Sequence, residues 1–261
     1  MLDADSNAKL LETAENAARR AGDILEDWAG RFTVSEKQPS DLVTEADVAS
    51  QKSIYEQIRS VYPDHGFLGE EGLSVEAPNS PFRWIIDPLD GTSNYVHRFP
   101  FYAVSIALEI DGVLSVGVIF DPNRDEMFSA VIGKGATMNG TRIKSTDVSQ
   151  LREAMVVASL PIGATGDHEA VRQLLRVMPE VQTVQRTGSA ALNLSYVAAG
   201  RIEAFWSISL KPWDMAAGAL LVTEAGGRVS KQNGEVFDVE RPDLLTSNGT
   251  AIHEQLQRLL T

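Results

Sequence analysis

Two aspartates, Asp87 and Asp90, lie in the run Ile85-Ile86-Asp87-Pro88-Leu89-Asp90-Gly91-Thr92, where an apolar segment delivers both into a Pro/Gly turn. A second acidic pair, Glu70-Glu71, is enclosed by Gly69 and Gly72, and Asp214 follows Trp213 near the far end of the chain. Carboxylates gathered at strand ends and turns, in a chain with no Cys and four His, form the ligand set of hard, oxygen-seeking cations such as Mg²⁺. If both aspartates and the Leu89 carbonyl face one point, two cations about 4 Å apart could share Asp87. Gly91-Thr92-Ser93 adds a small residue, backbone N–H groups and hydroxyls where a helix starts, an arrangement suited to phosphate. The indicated chemistry is metal-assisted work on phosphate.

Each of these features also has a purely structural reading. Asp90 ahead of Gly-Thr-Ser-Asn, and Asp214 ahead of Met-Ala-Ala-Gly-Ala-Leu-Leu, are both good helix N-caps. Adjacent acids such as Glu70-Glu71 are common in solvated loops. Asp87 is the exception, because a carboxylate that ends a buried strand needs a partner. Thr44-Glu45-Ala46-Asp47 fits a capping box, with Thr44 as the cap. Asp47 could instead accept a hydrogen bond from the Thr92 hydroxyl and so take up a proton from attacking water.

A chain of 261 residues can bury a full core. Absence of Cys rules out thiolate zinc sites, Cys nucleophiles and disulfides, and it is compatible with a reducing cytoplasm. The N-terminus has no signal-peptide pattern, and no apolar run approaches membrane-spanning length. A net charge of −13 argues against binding to nucleic acid or an anionic membrane. The same charge repels an anionic substrate unless something positive intervenes, and dications are the obvious candidate.

The elements that must position these residues follow from periodicity. Residues 7–29 place Leu10, Ala14, Ala17, Ala21, Ile24 and Trp28 on one helical face, and a second helix should run from Thr44 to Val61. A buried strand is expected over 82–86. Strands over 101–110, 113–120 and 126–132 follow, with Asp111-Gly112 as a hairpin turn. From about residue 150 the rhythm changes: strands near 154–160, 182–186 and 202–208 alternate with helices near 168–178, 188–199 and 213–225. The expectation is an antiparallel α+β half over 1–145, carrying most of the candidate metal ligands, and an α/β half over 146–261 carrying Asp214 and the substrate-alcohol side.

Four blocks, in this order, resemble the inositol monophosphatase family of Mg²⁺-dependent, lithium-sensitive phosphatases related to fructose-1,6-bisphosphatase. They are Asp41-Leu42-Val43-Thr44-Glu45-Ala46-Asp47, Gly69-Glu70-Glu71, Trp84 to His97, and Trp213-Asp214-Met215-Ala216-Ala217-Gly218. The resemblance covers essentially the whole chain and implies a layered αβαβα sandwich and a cytoplasmic homodimer. It implies roughly two to three Mg²⁺ ions per site. Glu70, Asp87 and the Leu89 carbonyl would hold the first, Asp87, Asp90 and Asp214 the second, and Glu71 would support the ligand shell. Gly91, Thr92 and Ser93 would meet the phosphate, Asp47 would pair with Thr92, and Lys37 would belong to a mobile loop that closes near the metals. The implied reaction is in-line attack by metal-activated water on a small polyol or sugar phosphate, with no phosphoryl-enzyme. Gly188-Ser189-Ala190 matches the segment that faces the sugar. Ser207 departs from the pattern: inositol phosphatases of the family usually carry an acid there, and a neutral Ser removes a strong acceptor for ring hydroxyls.

Histidinol-phosphate, nucleotide 3′-phosphate and fructose-1,6-bisphosphate phosphatases of the same superfamily are therefore the nearest rivals. A haloacid-dehalogenase reading, with Asp87 as nucleophile, is opposed by the two-residue gap Pro88-Leu89, since that motif has a single residue between its aspartates. A non-catalytic regulatory protein on this scaffold is the remaining alternative.

Overall fold

The computed structural model describes the backbone of residues 4–38 and 41–261, and the side chains of residues 5–35 and 42–261. It opens with α1 (Ala4–Trp28), a two-stranded hairpin of β1 (Val34–Gln38) and β2 (Asp41–Thr44), and α2 (Glu45–Val61). Then come β3 (Gly66–Gly69), β4 (Ser74–Val75), β5 (Phe82–Asp90) and the short α3 (Thr92–Val96). A meander follows: β6 (Ala103–Ile110), β7 (Val113–Asp121), β8 (Glu126–Val131), β9 (Gly135–Met138) and β10 (Thr141–Arg142). The remaining elements are β11 (Met155–Ala158), α4 (Glu169–Val177), β12 (Thr183–Gln185), α5 (Ala190–Ala198), β13 (Ala204–Ser207), α6 (Pro212–Glu224), β14 (Arg228–Ser230), β15 (Leu244–Ser247) and α7 (Ile252–Leu260).

Among the described residues, an eight-stranded sheet has the order β10-β9-β8-β7-β6-β5-β3-β4 and a five-stranded sheet the order β12-β11-β13-β15-β14. α1 and α2 cover one face of the large sheet, where Leu25, Ile54 and Ile58 meet Trp84, Ile86 and Ile106. α5 and α6 fill the space between the sheets, packing on Ile85, Ala107 and Phe128 from one and Val157, Phe205 and Leu244 from the other. α4 and α7 close the outer face of the small sheet over Trp206 and Leu245. This is the expected αβαβα sandwich.

β5 and β6 are buried at nearly every position, and so carry apolar residues on both faces instead of alternating. The same holds for two helices: α5 and α6 are apolar nearly all round because each has a sheet on either side. The face of α1 is built from Ala14, Ala18, Ala21 and Leu25, all fully buried. Leu25, not Ile24, completes it, because the helical period carries the stripe to position 25. Small residues let the layers approach closely. At Gly117 in β7 a Cβ would lie 2.8 Å from the Ala217 carbonyl oxygen of α6.

Several short elements are absent from the periodicity reading: β1 to β4, β9, β10, β14, β15 and α7. Strands of two to five residues contain too few alternations to show a period. Nor is the large sheet wholly antiparallel, since β3 runs parallel to β5. No helix among the described residues is long and apolar enough to cross a membrane.

Candidate active site

β5 does not stop at Asp87 as the Pro88 turn suggests. It continues to Asp90 through a register shift, with Asp87 opposite Ser105 and Asp90 opposite Ala103. Alternation puts Asp87 on the side of Ile85, toward the middle layer where α6 runs. The irregularity re-aims Asp90 to the same side. α6 arrives there with its first turn, so Asp87, Asp90 and Asp214 each offer an oxygen within 4.8 Å of the others. Asp90 is therefore not an N-cap. That position belongs to Gly91, with φ +95°, where a Cβ would meet the Phe101 carbonyl oxygen at 3.1 Å. Asp214 is not an N-cap either. It stands at the third position of α6, where its Oδ2 accepts from the Lys211 N–H at 2.8 Å.

The cluster is crowded, with Asp87 and Asp90 buried and Asp214 half-buried, and its titration shows it. Burial, then the charges of Glu70, Asp90 and Asp214, push the Asp87 carboxyl well above the usual carboxylate range. Burial and the Asp90 charge do the same to Asp214. Asp90 is raised to about 6, chiefly by burial, against the opposing hydrogen bonds of α5. Those bonds come from the Ser189 hydroxyl, the Ala191 N–H at 2.8 Å and the Ala190 N–H at 3.2 Å. Oxygen donors that crowd and repel one another fit a hard dication, which would hold the ionised forms together.

Glu70 sits beside this group on the loop after β3, its N–H donating to the Ile86 carbonyl at 3.2 Å. It is close enough to raise both Asp87 and Asp47. Asp47 makes both of its expected hydrogen-bond contacts. Its Oδ2 accepts from the Thr44 N–H at 2.8 Å and the Thr44 hydroxyl at 2.6 Å, closing the capping box. Its Oδ1 faces the Thr92 hydroxyl at 3.3 Å, and that hydroxyl also lies 3.2 Å from the Leu89 carbonyl. Burial raises the Asp47 carboxyl despite the Thr44 bonds.

Of the residues expected on the alcohol side, Ser189 and Ala190 bond Asp90, and each of the four has its own surroundings. Ser189 caps α5 through the Leu192 N–H as well as bonding Asp90. Gly188, at φ +90°, packs against the Asn94 side chain, whose Nδ2 donates to the Phe101 and Thr187 carbonyls. Ser207 ends β13, fully buried, with its hydroxyl accepting from the Ser209 N–H at 3.3 Å. Ser93 is exposed in the first turn of α3. The Lys37 side chain lies outside the described residues. Sequence reasoning missed Ser50, Gln51 and Asn94, which hold the backbone of the site. A buried polar side chain within a helix that starts at Thr44 was the available signal. A cavity of about 640 Å³ lies elsewhere, at the other end of α6, lined by Leu114, Leu220, Val229 and Phe237, and it shares no residue with the acidic cluster.

The family model for the inositol monophosphatase family matches residues 6–261. An inositol-1-monophosphatase of Mesorhizobium japonicum is 41% identical over 98% of this chain and 96% of its own length. The Nus factor SuhB of Escherichia coli is 40% identical over 86% of each chain. Among solved structures, the extragenic suppressor protein suhB of Bartonella henselae superposes with a TM-score of 0.93 at 38% identity, covering 97% of this chain and 98% of that one. The inositol monophosphatase of Anabaena does so with a TM-score of 0.87 at 36% identity, covering 97% and 95%. With fold and sequence matched from end to end, the chain belongs to the inositol monophosphatase family of metal-dependent enzymes and is a phosphoric monoester hydrolase.

Proposed function

We propose that the chain hydrolyses a small polyol or sugar phosphate of the inositol-1-phosphate type, using Mg²⁺. The observation that carries this reading is the meeting of Asp87, Asp90 and Asp214 within 4.8 Å, beside the phosphate-suited turn Gly91-Thr92. Glu70, Asp87, the Leu89 carbonyl, Asp90 and Asp214 are the residues that would hold roughly two to three ions. The ions would supply the positive charge that lets a phosphate enter an acidic site and that favours ionisation of the attacking water.

The rest of the chemistry is assigned to the chain. Gly91, Thr92 and Ser93 offer N–H and hydroxyl donors to the phosphate. The Thr92 hydroxyl receives a proton from the attacking water as it passes its own to Asp47 Oδ1, 3.3 Å away. Asp47 suits this role because burial already favours its protonated form. Gly188, Ser189, Ala190 and Ser207 form the alcohol side, and Lys37 the closing loop. The division into halves at about residue 145 is part of this reading, supported by the change of sheet between β10 and β11. So is the homodimer, on the family resemblance.

The test is a phosphate-release panel with Mg²⁺, comparing inositol-1-phosphate, histidinol phosphate, a nucleotide 3′,5′-bisphosphate and fructose-1,6-bisphosphate, each with and without Li⁺. Preference for the first, with inhibition by Li⁺, is expected. Preference for another ester moves the substrate to that branch, and no Mg²⁺-dependent release from any of them defeats the proposal. A second reading, a role as a protein partner in transcription, is favoured by the Escherichia coli relative's name. A strain lacking the gene distinguishes the two: rescue by a catalytically dead Asp87→Asn variant supports the partner role.

A further inference from the structure

α2 turns three side chains, from positions 47, 50 and 51, toward the acidic centre. Asp47 faces Thr92, the Ser50 hydroxyl donates to the Pro88 carbonyl at 2.9 Å, and Gln51 reaches the loop of Glu70. The Gln51 side chain is nine-tenths buried, and its amide takes both sides of one residue. Nε2 donates to the Glu71 carbonyl at 3.0 Å, and Oε1 accepts from the Glu71 N–H at 3.0 Å. Two bonds in opposite senses fix the position and the orientation of that backbone, as a neighbouring strand would. Gly69 makes room for the amide: a Cβ there would lie 2.5 Å from Gln51 Oε1. Glu70 is thus pinned on one side to β5, through Ile86, and on the other to α2. Because Ser50 holds the Pro88 carbonyl between Asp87 and Leu89, one helix sets the spacing between the two acidic segments.

We propose that Gln51 is a positioning residue that holds the Glu70 loop at a spacing suited to a small octahedral ion, giving the centre its preference for Mg²⁺ over Ca²⁺. The proposal rests on the reading of the centre as a dication site. Mg²⁺ demands near-ideal octahedral ligands at about 2.0–2.1 Å, whereas Ca²⁺ accepts about six to eight oxygens at about 2.3–2.6 Å in irregular geometry. Fixed ligands favour the first ion, and a loosened loop costs Mg²⁺ more than Ca²⁺. Removal of an outer hydrogen bond that orients a ligand costs about 10–100-fold in metal affinity.

The experiment is calorimetric titration of Mg²⁺ and of Ca²⁺ into the full chain and two variants. Gln51→Leu removes both hydrogen bonds at nearly constant volume. Gly69→Ala keeps the amide but displaces it, and carries the test alone if the first variant fails to fold. Mg²⁺ affinity is expected to fall about tenfold in each folded variant. Ca²⁺ affinity should fall by less than about threefold, so that the Mg²⁺/Ca²⁺ ratio collapses. An unchanged ratio, whether both affinities fall together or neither does, overturns the role of Gln51. Failure of the unaltered chain to bind Mg²⁺ at all overturns the dication reading itself, a result distinct from the previous one.

Discussion

At the scale of single residues, the chemistry depends on carboxylates that are unstable as neighbours. Asp87 is fully buried beside Glu70, Asp90 and Asp214, and each of these charges raises it. Asp87→Asn should lower Mg²⁺-dependent phosphate release at least ~100-fold. The same change removes a repelled charge, so the cation-free variant should unfold later than the parent, by on the order of 1 kcal/mol in urea. Near-normal turnover would remove Asp87 from the centre. Ser207 is the second decisive residue. Its hydroxyl accepts from the Ser209 N–H within its own turn, and in the proposed reading it offers the alcohol no charged acceptor. Ser207→Glu should raise kcat/KM for inositol-1-phosphate by about tenfold, the value of one hydrogen bond to a charged acceptor, without raising it for histidinol phosphate. A parallel change for both esters would show that position 207 does not read the alcohol.

At the scale of elements, α6 connects packing to chemistry. Asp214 and Gly218 are four residues apart and so share one face of the helix. A Cβ at Gly218 would run into Leu194 of α5, while Gly117 of β7 admits the other side of α6. Gly218→Val should therefore tilt α6 away from its neighbours. The expected cost is about 1–3 kcal/mol of stability, with weaker Mg²⁺ binding because Asp214 moves with the helix. Thermal unfolding and a Mg²⁺ titration measure both, and a destabilised variant with intact Mg²⁺ affinity would separate α6 packing from the centre. α2 is the corresponding element on the other side, since Thr44 and Asp47 start the helix and the following turn supplies Ser50 and Gln51.

At the scale of the whole molecule, stability and ligand state are linked. Mg²⁺ that binds only the folded chain should raise the unfolding free energy by about 2.7 kcal/mol at a hundredfold excess over its Kd. Calorimetric scans with and without Mg²⁺ check this, and a midpoint indifferent to the ion would argue against the centre. Acid acts through a different group. His253, fully buried on α7 between the Ser230 and Ser247 hydroxyls, is lowered by burial from 6.5 to about 4. Its folded state thus resists a proton that the unfolded chain accepts. The contribution is complete above pH 6.5 and is lost as pH falls toward 4, costing about 2 kcal/mol at pH 5. Because the raised carboxyls of Asp87, Asp90 and Asp214 act in the opposite sense over this range, the loss is read as the difference in urea midpoint between the parent and His253→Gln, which should shrink or reverse from pH 7 to pH 5.

The sequence by itself determined which residues are acidic, where helices and strands long enough to complete a period would form, and which chemistry such acids serve. α1, α2, β6, β7, β8, α5 and α6 were legible for that reason, because a face repeated over several turns or alternations is a local property of the chain. β1 to β4, β9, β10, β14 and β15 were not, because their pairing energy comes from neighbours far along the chain. The site divides in the same way. Asp87, Asp90 and Asp214 could be named from residue type and turn chemistry. Their convergence depends on a register shift in β5 and on close packing of α6 over β7. The supporting bonds from Gln51 to Glu71 and from Ser189 to Asp90 join segments whose distance is fixed only when the layers stack. Sequence writes side-chain chemistry and local periods, whereas the geometry that turns carboxylates into a centre is a long-range property, set by packing and by which backbone groups burial forces to find partners.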